Sequence, residues 1–117
     1  MKIKNKNFTT NEEIINFKIH GSITSIVKDF YELDPFPNYE INDSKRKILQ
    51  IGDENIFLKS LKNFIGFNKS IIEFGAGTCQ LSNYLAIGTN NVVYAFDSSF
   101  ASLKIGKNFS KKGNIEN

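Results

Sequence analysis

Cysteine and histidine are nearly absent from this chain: among its 117 residues, Cys79 and His20 are the single examples of each. One thiol excludes an internal disulfide, and the two residues together offer no ligand set of the zinc type. A reducing, cytoplasmic setting is expected from such usage. Arginine is scarce too, Arg46 being the only one among fifteen basic residues. The twelve acidic residues alternate with these along both halves and leave a net charge of +3. That is the pattern of a solvated surface, with no strong nucleic-acid signal. Residues 1–7 make a charged start with Lys2, Lys4 and Lys6, but neither an apolar block nor a small-residue cleavage site follows them, so no leader is expected. No apolar run approaches the roughly 20 residues that cross a bilayer, and no membrane partner is expected.

Apolar side chains make up 40% of the sequence, enough for the core of one domain, or of part of one. Residues 1–21 read as a polar arm, with a weak strand alternation at residues 17–19. From Ser22, an available N-cap, Ile23, Ile26, Val27, Phe30 and Tyr31 share one helical face, which predicts a helix over 22–33. Pro35 and Pro37, the only prolines, stop it and make 35–39 extended and stiff. A short helix is expected from Ser44, and after Gly52 a clearer one over 55–65, ended by Gly66. Strand 70–74, a glycine turn and a helix over 80–87 follow, with a turn at 88–91. The unbroken apolar run 92–96 reads as a strand buried on both faces. Ser98 or Ser99 should cap a last helix to about residue 110, with Ala101, Ile105 and Phe109 turned inward. Tyr84 and Phe109 read as core residues.

Chemistry concentrates where strand 70–74 enters the glycine turn. Strand, turn, helix, strand and acid make half of a nucleotide-binding βαβ unit. In such a unit backbone amides of the turn approach a small ligand at the strand end. Asp97 lies 20 residues beyond Gly77, where a carboxylate can accept hydrogen bonds from both hydroxyls of a ribose. Such charge-assisted bonds contribute roughly 1.5 to 3 kcal/mol each. The competing role for Asp97 is a helix cap before Ser98. A dinucleotide fingerprint needs a third glycine at position 80, and Gln80 stands there. Glu73 at the strand end would repel a phosphate and favour a ligand carrying positive charge.

The run Glu73, Phe74, Gly75, Ala76, Gly77, Thr78, Cys79 resembles motif I of the class I S-adenosylmethionine-dependent methyltransferases, E/D-x-G-x-G-x-G. Phe30, Tyr31 and the Pro35, Phe36, Pro37, Asn38, Tyr39 element resemble the N-terminal region of bacterial members, and the likeness spans roughly residues 22–117. It implies S-adenosyl-L-methionine as cofactor, bound by Glu73, Gly75, Ala76, Gly77, Asp97 and Ser98. The fold implied is α/β: a Rossmann-like three-layer parallel sheet, truncated after the second strand–helix unit, with N-terminal helices. On this division 1–21 is the arm, 22–69 a helical extension and 70–117 a partial cofactor domain. Phe36 and Tyr39 read either as a segment closing over the ligand or as an apolar strap across the sheet.

One departure is Cys79 in place of the third motif glycine. If that position requires a positive φ, a Cβ there costs on the order of 1 to 2 kcal/mol. With no basic partner near in sequence, Cys79 reads as a small packed residue and not a catalytic thiol. No catalytic residue and no methyl acceptor can be named from these residues. The resemblance implies a methyltransferase; the alternatives are a non-catalytic remnant or binding module of that fold and a nicotinamide-dependent oxidoreductase. A complementing chain, or self-association through the open sheet edge, is expected to cover strand 70–74.

Overall fold

Side-chain caps open three of the helices in the computed structural model, which describes residues 9–11, 14–16, 22–35 and 37–115. The order is β1 (Thr9–Asn11), β2 (Ile14–Asn16), α1 (Ser22–Leu33), α2 (Lys45–Glu54), α3 (Ile56–Ile65), β3 (Ser70–Phe74), α4 (Gln80–Ala86), β4 (Val92–Phe96) and α5 (Phe100–Lys112). Ser44 opens α2 by accepting from the Lys47 amide, and Asn55 opens α3 by accepting from the Leu58 amide. Of the two serines ahead of α5, Ser99 is the cap, its hydroxyl accepting from the Ser102 amide. Gly66 ends α3 at φ 77°, a conformation that a Cβ would strain.

The helix expected from Ser44 runs through Gly52 to Glu54. Gly52 lies buried inside α2, where a Cβ would fall 2.2 Å from Cε2 of Tyr84. Its bare backbone is what lets the Tyr84 ring settle against α2. Lys62 of α3 then donates to the carbonyls of Tyr84 and Ile87, at 2.6 and 2.7 Å, and so satisfies the open C-terminal end of α4. Burial lowers the pKa of this ammonium.

The fold is mixed α/β, and β3 and β4 form a two-stranded parallel sheet in register from Ser70↔Val92 to Phe74↔Phe96. Buried Asn91 stitches the entry to both strands: it accepts from the Lys69 amide at 2.8 Å and donates to the Gly66 carbonyl at 2.9 Å. Ile48, Tyr84, Leu85, Ala86, Ile87 and Ile115 make the buried core, against which Ile71, Val93 and Phe109 pack. Residues before and after position 70 therefore share one core. Ala101, Ile105 and Phe109 of α5 are half-buried.

Strand β4 is not buried on both faces. Val93 and Ala95 are half-covered, whereas Val92, Tyr94 and Phe96 are exposed, as are Ile72 and Phe74 on β3. Helices cover one face only among the described residues, so the third layer of the expected architecture is not seen. An apolar run reads alike whether one face or both are buried, because its outward side chains carry no polar signature.

The N-terminal arm contains an unexpected antiparallel pair, β1 with β2, in register Thr9↔Asn16 to Asn11↔Ile14. Residues 17–19, His20 and Phe36 lie outside the described residues. No helix among those described is long and apolar enough to cross a membrane.

Candidate functional site

Strand register brings the two carboxylates singled out from sequence to one end of the sheet. Because Phe74 pairs with Phe96, β3 and β4 finish level, and residues 75–77 and 97–99 leave from the same edge. Open parallel sheets bind ligands at this end. Gly75, Gly77 and Cys79 take positive φ values of 72, 54 and 61°, so the chain turns tightly before α4.

The turn amides point inward. Gly75 and Ala76 both donate to the Phe96 carbonyl, at 2.8 and 3.0 Å, and Cys79 donates to the Ala76 carbonyl at 2.8 Å. Gly77 donates to Oδ2 of Asp97 at 2.8 Å. The expectation that these amides would face a ligand is corrected accordingly: they are used within the fold, which ties the turn to the end of β4. What remains to meet a ligand is carboxylate oxygen and bare glycine surface. At Gly75 a Cβ would meet nothing within 4 Å, so this side of the turn is open.

Glu73 lies on the covered face of β3, half-buried, and its carboxylate accepts from the Ser82 hydroxyl in the first turn of α4. Burial raises its pKa, and the nearby Asp97 carboxylate pushes the same way. Asp97 uses one oxygen for Gly77 and the other for the Ser99 amide, at 2.8 Å. The side chain is thereby locked in orientation, while a carboxylate has about four lone-pair positions and so keeps acceptor capacity for hydroxyls. The helix-cap role considered for Asp97 is filled by Ser99. Ala76 is buried and Ser98 half-buried.

No family model, curated protein or solved structure matches the chain.

Cys79 occupies the left-handed region that its place in the motif predicts for glycine, and it is 7% exposed. Burial pushes its thiol up to about 12, with Glu73 and Asp97 adding to the shift. A thiol so held is a poor nucleophile. Its packing partner is Gly106 of α5, where a Cβ would fall 2.5 Å from the Thr78 carbonyl and 2.6 Å from Cβ of Cys79. Among the described residues no group of His, Cys, Asp or Glu could hold a metal.

The 35–39 segment meets the turn from outside. Thr78, fully buried, donates its hydroxyl to the Pro37 carbonyl, and Gln80 donates to the Asn38 carbonyl at 3.2 Å. Tyr39 donates its phenol to the Thr78 carbonyl at 2.8 Å, accepts from Nδ2 of Asn83 at 2.9 Å, and stacks on Phe109 at 4.1 Å between ring centroids. Tyr39 thus ties its segment to the turn, α4 and α5 through polar bonds and a ring contact, and not as an apolar strap lying across the sheet.

Four residues of the site were not singled out from sequence. Ser82 and Thr78 carry ordinary hydroxyls in a helix start and gave no signal. Asn83 did offer one, an amide flanked by the apolar Leu81, Tyr84 and Leu85. Glu32 of α1 accepts from the Phe100 and Ala101 amides at the start of α5, a contact that sequence spacing does not foretell.

Proposed function

We propose that this chain is the S-adenosyl-L-methionine-binding part of a methyltransferase, with the cofactor at the C-terminal ends of β3 and β4. The observation that carries this reading is the convergence of Glu73 and Asp97 on a glycine turn whose amides are already engaged. A phosphate needs free amides or cationic side chains, and this edge offers carboxylates. A ligand with a sulfonium, an ammonium and a ribose suits it. Glu73 faces the positive end of the methionine part, Gly75 and Gly77 allow close approach, and Asp97 accepts from the ribose hydroxyls, with Ala76 and Ser98 completing the rim. On this reading the β3–α4–β4 unit is the start of a Rossmann-like sheet.

A sulfonium is a good methyl donor on its own, so the protein contributes mainly alignment of donor and acceptor. The engagement of the Gly75, Ala76, Gly77 and Cys79 amides within the fold also weighs against a nicotinamide dinucleotide, whose pyrophosphate needs free donors at such a turn. Calorimetric titration tests the proposal. Saturable binding of S-adenosylmethionine and none of the dinucleotide is expected; equal or tighter binding of the dinucleotide, or no heat with S-adenosylmethionine, would overturn it.

A further inference from the structure

We propose that Tyr39 is a positioning residue for the glycine turn: its phenol fixes the peptide between Thr78 and Cys79, and through it the edge that holds the ligand. The positioning of a ligand rests on the function proposed above; the hold on the turn does not.

The connection can be followed bond by bond. Asn83 donates to the Tyr39 oxygen, and the phenol donates to the Thr78 carbonyl at 2.8 Å. The other end of that peptide, the Cys79 amide, donates to the Ala76 carbonyl, and the other end of peptide 76–77, the Gly77 amide, donates to Oδ2 of Asp97. Each peptide in the path is thus held at both ends, and the path runs from the 35–39 segment to the strand end that carries Asp97. Peptide 78–79 is the link most in need of support, because Cys79 sits at φ 61° with a Cβ, a conformation that L-residues resist. A hydrogen bond on the preceding carbonyl opposes rotation of that peptide out of the left-handed turn.

The ring itself is fixed. It lies parallel to Phe109, with 8° between planes, and its oxygen both donates and accepts within the fold, so Tyr39 is neither a mobile cover over the site nor a proton carrier. Burial holds its pKa well above the ordinary tyrosine value, which keeps the phenol a donor to Thr78.

Tyr39→Phe keeps the stacked ring and removes only the hydroxyl. Native-state amide exchange in the chain without ligand should show the Cys79 amide exchanging about fivefold to tenfold faster, as for one lost hydrogen bond, with the Ile71 and Val93 amides unchanged. The S-adenosylmethionine dissociation constant should rise by a similar factor, again the scale of one hydrogen bond. Unchanged exchange at Cys79 would overturn the hold on the turn. Faster exchange with unaltered affinity would overturn the positioning of the ligand. If the parent chain binds no S-adenosylmethionine, the functional proposal fails by itself, and the exchange result still decides the role of Tyr39. Phe109→Leu, which keeps the phenol but removes the ring beneath it, should move the same amide in the same direction and serves if Tyr39→Phe does not fold.

Discussion

Gly77 and Asp97 are joined at 2.8 Å, backbone amide to carboxylate, across the end of the parallel sheet. The same carboxylate holds the Ser99 amide at 2.8 Å, so one side chain fixes the glycine turn, the start of α5 and, on the proposed function, a ribose. Structural and ligand roles should separate by substitution. Asp97→Ala leaves two amides unpartnered, which lowers stability by about 1 to 3 kcal/mol, and it should weaken S-adenosylmethionine binding at least about tenfold, one to two charge-assisted hydrogen bonds. Ser99→Ala removes the cap of α5 and costs about 1 kcal/mol, with affinity retained. Paired urea unfolding and calorimetry distinguish the two, and equal affinity in Asp97→Ala and the parent chain would count against the site.

Glu73 supplies a pH signature. Its pKa is raised in the folded chain, chiefly by burial, so the native state holds this proton more tightly than the unfolded state does. Stability contributed at this position therefore falls as pH rises from the ordinary glutamate value to the raised one, and levels off above it. Glu73→Gln keeps an oxygen for the Ser82 hydroxyl and abolishes the titration. Its urea midpoint should gain on that of the parent chain as pH is raised through the weakly acidic range. Binding of a cationic ligand, which favours the charged carboxylate, should strengthen over the same interval in the parent chain and stay flat in Glu73→Gln. Parallel pH profiles for the two proteins would contradict this.

Much of the site was legible because it is built from short-range rules. Ser44 and Asn55 announce helix starts by side chain, Gly66 announces a stop, and the 70–77 run places Glu73 at a strand end whatever the tertiary context. Asp97 came to the same edge because β3 and β4 are equal in length and pair in a register that ends them level at Phe74 and Phe96. What could not be read depends on distance or on absence. Tyr39 and Thr78 are 39 residues apart and Glu32 and Phe100 are 68 apart, and no periodicity links them. The place of Gly52 inside α2 could not be read, because a missing side chain does not announce the ring that fills its place. The inward turn of the 75–77 amides was illegible too, since glycine spacing gives the conformation of a loop but not which acceptor its N–H groups find.

Gly106 and Cys79 form a contact with no slack. Gly106→Ala would drive a methyl to 2.5 Å from the Thr78 carbonyl, a backbone atom that cannot swing aside, and overpacking of this kind costs about 1 to 3 kcal/mol or more. Cys79→Gly works in the opposite sense, relieving a left-handed residue by about 1 to 2 kcal/mol while giving up its buried sulfur. The two effects nearly cancel, so Cys79→Gly should melt within a few degrees of the parent chain, whereas Gly106→Ala melts well below it. Introduced together, glycine at 79 should recover part of the loss at 106, because two of the three closest atoms met by the added methyl belong to the Cys79 side chain. Strict additivity in that double-mutant cycle would show that the contact is not tight.

The open face of the sheet makes the last prediction. Ile72 is 62% and Phe74 79% exposed, and Phe74 stacks on Phe96 of the neighbouring strand with 5.2 Å between ring centroids, so a continuous apolar surface faces solvent. Such surfaces bind apolar dyes and one another. The chain should therefore enhance the fluorescence of an anilinonaphthalene dye and sediment faster as its concentration rises. Ile72→Lys places a charge on this face without touching the Phe74–Phe96 pair. It should suppress both effects while changing stability by no more than about 0.5 kcal/mol, as for other exposed positions. A large drop in melting temperature would instead mean that Ile72 is covered in solution, and the open face would have to be abandoned.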